Sequence, residues 1–338
     1  MATKKTTAMK KKSSAKRSRS KAKKMIPAVR YLRYDVVNSS SANTETSHFI
    51  DLARDLSAIN RRLMRQGRRY HVKRVTIVSK NTPVVGVVTN PETGATVNKG
   101  GRVSISTIPE SWVSQGAWRR GFQTWQRMNA DATMQSAGNM EGAWADFKVY
   151  MSYDMKTGTV LNPIDNGNNA VTAGEWVYTN LVTPDGTTSS DEFTLHMLGN
   201  HVGSAGARNS AGLIKSFGES RPTVNDLTPN VPNDAADDPL LNVFDYGTTV
   251  DEVIDNLLTD GDKPPYSTGE YPGDDANMPK PLVVQDTILD NGKATVGGFI
   301  AMCGLLEIES TSPVNNDTYS VLVELAPGNY RGIKADVI

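Results

Sequence analysis

The stretch RYHVKRVTIVS, residues 69–79, sets the fold class: apolar and polar side chains alternate along it, and β-branched Val, Thr and Ile dominate. It reads as a strand. PVVGVVTN at 83–90 and RVSISTI at 102–108 repeat the pattern, and the Pro, Gly and Asn residues of NPETGATVNKGG between them predict a hairpin. Working outward, FKVYMSY (147–153), EWVYTNLVT (175–183), EFTLHMLGNHV (192–202), PLVVQDTIL (281–289), ATVGGFIAMCGLLEIE (294–309) and YSVLVELA (319–326) read as further strands. About nine strands separated by long polar loops, without β-α alternation, predict a mainly β sandwich or jelly roll rather than a doubly wound sheet.

Helical periodicity is rarer. In SHFIDLARDLSAINRRLMRQG (47–67), Phe49, Leu52, Ala53, Leu56, Ile59 and Leu63 share one face, Ser47 is placed to cap the start and Gly67 the end. After Pro109, Ser111 is placed to cap a second helix carrying Trp118, Phe122 and Trp125 at helical spacing, a stripe read as core. AGLIKSFGE (211–219) and TVDEVIDNLLTDG (249–261) read as short helices in connections.

Charge is distributed unevenly. The formal net charge is +1, but residues 1–24 carry +11, residues 25–80 carry +7 and residues 81–338 carry −17. The cations of the first segment are Lys4, Lys5, Lys10, Lys11, Lys12, Lys16, Arg17, Arg19, Lys21, Lys23 and Lys24. With no aromatic before Tyr31 and no Leu before Leu32, this arm has nothing to bury and is expected to be disordered in the free protein. A polycation binds phosphate chains by counterion release, whatever their sequence, so packaging is expected rather than base reading. KKK at 10–12 and KRSRSKAKK at 16–24 also resemble a nuclear-import signal.

A Ser, Asn and Thr tract at 39–46 reads as a linker, dividing a basic arm and linker (1–46) from a folded body (47–338). Arg61, Arg62, Arg65, Arg68 and Arg69 cluster near the end of the expected first helix. Five cations exceed what a helix dipole requires, so the cluster is a candidate extension of the phosphate-binding surface. Residues 226–291 carry fifteen acidic side chains against Lys263 and Lys280 and read as a solvated loop region. Pairs there, such as Asp237 with Asp238 or Asp274 with Asp275, lack EF-hand spacing, and no metal ligand is assigned.

Enzymatic signatures are missing from the sequence. Cys303 is the one cysteine, which excludes an internal disulfide or a multi-cysteine metal site. HMLGNH places His196 and His201 in an expected strand, on opposite faces, and GNHVGSAGARNSAG lacks the residues of a phosphate loop or a dinucleotide turn. No catalytic residue and no cofactor is expected. The longest near-apolar run, Val296 to Leu306, is far short of the roughly 20 residues that span a bilayer, so no membrane insertion is expected.

The layout resembles the single jelly-roll capsid proteins of small circular single-stranded DNA viruses that encode a Rep protein, bacilladnavirus-like groups among them. The resemblance rests on the arm at 4–24, the linker, the β segments, and KPPYSTGEYPGDDANMPKP (263–281) ahead of GGFIAMCGLLEI (297–308). It implies eight antiparallel strands in two facing sheets, a few short helices in the connections, self-assembly into an icosahedral virion and a basic arm held inside against single-stranded DNA. It also implies assembly in the host nucleus and outward loops turned toward a host receptor. Two other classes fit the composition: a chromatin- or nucleoid-type nucleic-acid-binding β protein, and a hydrolytic or carbohydrate-binding β-sandwich with a basic localisation tail.

Overall fold

The computed structural model describes residues 27–80, 86–89, 96–135, 147–182, 192–204, 207–219, 281–289 and 292–338. In chain order it begins with β1 (Tyr31–Val37), β2 (Thr46–Asp51), α1 (Leu52–Asn60) and β3 (Arg68–Ser79). β4 (Gly86–Thr89) and β5 (Thr96–Lys99) pair as an antiparallel hairpin before β6 (Arg102–Thr107). Next come α2 (Trp112–Gln135), β7 (Tyr150–Ser152), α3 (Tyr153–Thr157), β8 (Thr159–Val160) and β9 (Asn180–Val182). β10 (Glu192–Leu198), β11 (Val202–Ser204), β12 (Ala207–Gly212) and α4 (Leu213–Glu219) follow. The last part holds β13 (Leu282–Ile288), β14 (Lys293–Val296), β15 (Phe299–Met302), β16 (Leu305–Thr311) and β17 (Thr318–Leu325). β18 (Pro327–Gly328), β19 (Gly332–Ile333) and β20 (Ala335–Val337) complete it.

The protein is mainly β. One antiparallel sheet runs β1, β17, β3, with β14 and β15 along the far edge of β3 and β20 continuing the lane of β17. A second runs β13, β6, β16, β2, β8, antiparallel except for the short β2–β8 pairing. Inward residues of both sheets meet in one core: Leu32, Tyr34 and Val36 from β1, Val75 and Ile77 from β3, Ile105 from β6, Ile308 from β16 and Val323 from β17. That shared core makes the pair a sandwich.

The alternation along β3 slips by one residue. Tyr70 and Val72 point inward, then Val75 and Ile77, so Lys73 and Arg74 both lie on the solvent side. The register with β17 shifts at that point, between Glu324 and Leu325. A bulge turns two consecutive side chains to one face, and Glu324 accepts from both, Lys73 Nζ at 2.7 Å and Arg74 Nη2 at 2.9 Å. On the other edge the partner lane breaks into β14 and β15 at Gly297 and Gly298, where a Cβ on Gly298 would sit 3.2 Å from the Lys73 carbonyl oxygen.

A third layer lies in the connection between β6 and β13, which are neighbours in the second sheet. Among its described residues, β10 pairs in parallel with β7 and β12 and antiparallel with β9. Phe49 and Leu305, on the outer face of the second sheet, pack with Val113 and Trp118 of α2, Phe147, Met197 and Ile214 in a second core. The aromatic stripe of α2 belongs to it: Trp118 and Phe122 stack at 5.2 Å, and both meet Phe147 edge-on. Ser111 caps the helix as expected, its Oγ accepting from the Ser114 N–H at 3.1 Å.

Several expectations are corrected. Residues 47–51 are strand, because β2 is buried on both faces: Ile50 enters the sandwich core and Phe49 the second core, an apolar pair that mimics a helix face. The helix is therefore α1 alone, capped by Asp51, whose Oδ1 accepts from Arg54 N at 3.0 Å. It ends at Arg61, in the left-handed region with φ 51°. Gly67 is not its cap; an added Cβ there would lie 2.2 Å from Trp118. The arm-and-linker boundary at 46 falls inside the fold, since β1 pairs along its whole length with β17. The segments at 147–153, 175–183 and 192–202 contribute to the third sheet, not to the sandwich. The run 294–309 is three strands, broken at the glycine pair and at Cys303 and Gly304, both with positive φ. The hairpin joins β4 to β5 instead of 83–90 to 102–108. The arm, the helix expected at 249–261, and all of the acidic region but 281–289 lie outside the described residues.

Sandwich and third layer are joined through buried charge. Arg54 Nε pairs with Asp55 Oδ1 at 2.8 Å, Tyr34 Oη donates to Asp55 Oδ2 at 2.7 Å, and an Arg54 Nη2–H donates to the Leu161 carbonyl. Asp51 Oδ2 accepts from Gln66 Nε2 at 3.2 Å and from Tyr178 Oη at 3.1 Å. The Gln66 amide in turn bonds both the N–H and the carbonyl of Val149. Burial pushes the Asp55 carboxyl up to about 7, outweighing the opposing pull of Arg54 and of the Tyr34 hydrogen bond.

Two outcomes follow. In the unfolded chain Asp55 ionises near its ordinary value, so between about pH 4 and 7 the folded state binds the extra proton. Its contribution to stability is full below that window and is lost as pH rises through 7; urea midpoints of the wild type compared with Asp55→Asn across pH 4–8 measure it. Gly67→Ala forces the Trp118 ring aside and lowers unfolding stability by about 1–3 kcal/mol, read from the same denaturation curves.

Candidate nucleic-acid interface

α1 ends in a chain reversal built by short polar side chains. Ser57 Oγ donates to the Ala53 carbonyl at 2.6 Å and accepts from Met64 N at 2.7 Å, closing residues 61–64 back onto the helix. Asn60 holds a different part of the chain. Its Oδ1 accepts from Val29 N at 2.7 Å, and its Nδ2 donates to the Val29 carbonyl at 3.1 Å. The segment leading into β1 is thus pinned beside the end of α1, where Arg61 and Arg62 follow in sequence.

The five clustered arginines divide by environment. Arg61, Arg62 and Arg65 are exposed and form no ion pair among the described residues. Arg68 is half-buried, its guanidinium 3.6 Å above the Tyr330 ring and Nη1 donating to the Ala335 carbonyl at 3.1 Å. Arg69 is neutralised by Glu110. The cluster therefore offers three free cations and one stacked one to an anion, and the fifth is occupied.

Two clefts open on either side of this segment. The first, about 290 Å³, is lined by Arg61, Arg62, Lys148, Glu175 and Trp176 among others. Lys148 is 3 % exposed, and its Nζ lies 4.8 Å from the centre of the Trp176 ring. The second, about 340 Å³, is lined by Arg65, Arg68, Arg119, Trp118 and Phe122 among others. Cationic walls beside aromatic faces suit a phosphate backbone with stacked bases. Reading the sequence missed Lys148, Trp176 and Arg119. The first two come from the third layer and have no local pattern tying them to residues 61–68, whereas Arg119 follows Trp118 directly and was open to notice.

The other chemical groups singled out in the sequence have packing roles. His196 is buried, with Nδ1 2.7 Å from Ser210 Oγ and Nε2 2.9 Å from the Asn200 carbonyl, and burial lowers it to about 4. His201 Nδ1 accepts from Gly212 N at 3.1 Å and lies past the end of β10. His196 thus secures the turn after β10, and His201 ties that turn to the end of β12. Cys303 is fully buried and burial pushes its thiol up; it sits in the turn between β15 and β16, not in a strand. Among the described residues, no group of three or more His, Cys, Asp or Glu is placed to hold a metal ion, and no helix is long and apolar enough to cross a membrane. The aspartate groups of the acidic region before residue 281 fall outside the described residues.

Comparison with known proteins gives no counterpart: no family model, no curated protein and no solved structure matches the chain.

Each free arginine that meets a phosphate adds to the salt dependence of binding, by roughly 0.7 per contact for a single strand. Replacing both Arg61 and Arg62 by Gln lowers the slope of log K against log salt by about 1.4. Arg69→Gln leaves the slope unchanged, because Glu110 already occupies that charge. Fluorescence anisotropy with a labelled oligonucleotide between 50 and 200 mM salt, the range over which phosphate contacts are strongly screened, reads both.

Proposed function

We propose that this chain is a viral capsid subunit that self-assembles into an icosahedral shell and packages single-stranded DNA through its basic N-terminal arm. The observation that carries the reading is the exposed arginine cluster beside the start of the described chain. Val29 is held by Asn60, so the described chain begins beside the end of α1, where Arg61, Arg62 and Arg65 stand exposed, and the +11 segment precedes it in sequence. A shell needs neutralising charge gathered on the side that meets the genome, and this arrangement gathers it.

The strand order supports a jelly roll. Counting β14 and β15 as one lane, and leaving out the β4–β5 hairpin and the third layer, the sandwich has eight lanes. In chain order these form one sheet ordered 1-8-3-6 and another ordered 2-7-4-5, the latter with β8 added at its edge. Each sheet draws alternately on early and late parts of the chain, as two interlocked Greek keys do. The resemblance in layout to the capsid proteins of small circular single-stranded DNA viruses favours DNA as the packaged polymer. The lysine-rich runs at 10–12 and 16–24 favour assembly in the host nucleus.

In this reading the partners are further copies of the chain and a nucleic-acid strand, and the protein works by binding and assembly without a catalytic step. Purified full-length protein forms uniform megadalton particles, seen by electron microscopy and size chromatography, and nuclease typing of the extracted polymer gives DNA. Removing residues 1–24 sharply lowers the nucleic acid recovered per particle. Full packaging without the arm, or only monomers and dimers under all assembly conditions, overturns the reading.

A further inference from the structure

The two clefts share a feature that simple surface charge does not explain. Trp176 lines the first and Trp118 the second, and in each the indole Nε1 is shielded from solvent with no hydrogen-bond acceptor among the described residues. An indole N–H can only donate, and a buried donor without an acceptor costs roughly 1–3 kcal/mol, so such groups are rare. Here two occur, each on a tryptophan that lines a cleft whose other lining includes arginines. Both rings are held firmly: Trp118 is 7 % exposed within the second core, and Trp176 packs against the sandwich core.

The clefts are also neighbours along the chain. Leu63 lines the first and Arg65 the second, so their Cα atoms are at most about 7.6 Å apart. The first is lined by Ala58 and Arg61, which flank the Asn60 that holds Val29. Their cations come from three separate elements: the 61–68 segment, Lys148 ahead of β7, and Arg119 on α2. Glu175 is the one carboxylate among the described side chains lining the first cleft, and it is exposed at the rim.

We propose that the two clefts are successive nucleotide subsites on a track for single-stranded nucleic acid, distinct from the arm. In the first, Arg61 and Arg62 hold a phosphate, and Trp176 forms an aromatic wall for the base. In the second, Arg65 and Arg119 hold a phosphate, and Phe122 and Trp118 offer aromatic faces. A duplex does not fit, because its bases are already stacked and its edges paired, whereas a flexible single strand turns its bases into the clefts. The track rests on the nucleic-acid reading above but assigns the ordered contacts to the folded body, while the arm gives unordered charge neutralisation.

The test is photo-crosslinking of full-length protein to a single-stranded deoxyoligonucleotide carrying 5-iododeoxyuridine, with peptide mapping by mass spectrometry and binding followed in parallel by anisotropy. The expected crosslinks fall at Trp176 and at Trp118 or Phe122. Arg61→Gln with Arg62→Gln lowers the yield at Trp176 by about tenfold, and Arg65→Gln with Arg119→Gln does the same at the second cleft. These four side chains are surface cations, so the variants fold, and circular dichroism checks that they do. Binding by anisotropy with no crosslink at either tryptophan overturns the track and leaves the arm as the contact. A duplex of the same sequence crosslinking equally well also overturns it. Absence of binding in both readouts defeats the packaging reading as well.

Discussion

Two carboxylates and a guanidinium, sealed from water where β2 turns into α1, are the constraint on which the rest of the architecture depends. Asp51 makes the turn by capping the helix, and the same side chain reaches Gln66 and Tyr178. Asp55 is held by Arg54 and by Tyr34 of β1. Through Gln66 to Val149 the network reaches from the first strand of the sandwich to the third layer, and through Arg54 it ties in Leu161 after β8. Buried charges tolerate no missing partner: deleting one member of such a set commonly costs about 3–5 kcal/mol, because the others remain desolvated. Relative placement of sandwich and third layer is therefore fixed by hydrogen-bond geometry as well as by packing.

The basic segment at 61–68, after α1 and before β3, contains Gln66 and so is itself tied into that network. Met64 and Gln66 are buried and hold it down, while Arg61, Arg62 and Arg65 are left on the outside. This alternation of buried anchor and free cation explains why a loop can present charge in a defined place. It also explains why the clefts form where they do: the sandwich supplies one wall and the third layer, through Lys148, Trp176 and α2, supplies the other.

Much of the sandwich was readable from the sequence because strands with one buried face leave a period of two. β3, β6, β13 and β17 were found close to their observed limits for that reason. β1 was missed although Leu32, Tyr34 and Val36 alternate cleanly, because Arg30, Arg33 and the preceding cations made the region look like an extension of the arm. β2 was misread because a strand buried on both faces loses its alternation, and its apolar residues then continue into those of α1. The assignment of strands to a third layer depends on contacts between distant segments, which periodicity does not encode. The arginine cluster was legible as charge, but its division into free, stacked and paired members depends on Tyr330 and Glu110, remote in sequence from most of it.

The pairing of β1 with β17 has a consequence for how the protein is made. The first strand of the sandwich finds its neighbour about 290 residues later, Tyr31 opposite Glu324, so the sheet they share cannot close until β17 has left the ribosome. Pairings of such long sequence separation form slowly. The polycation ahead of β1 meanwhile emerges before that sheet can close, and it is available to nearby polyanions while the rest is being made.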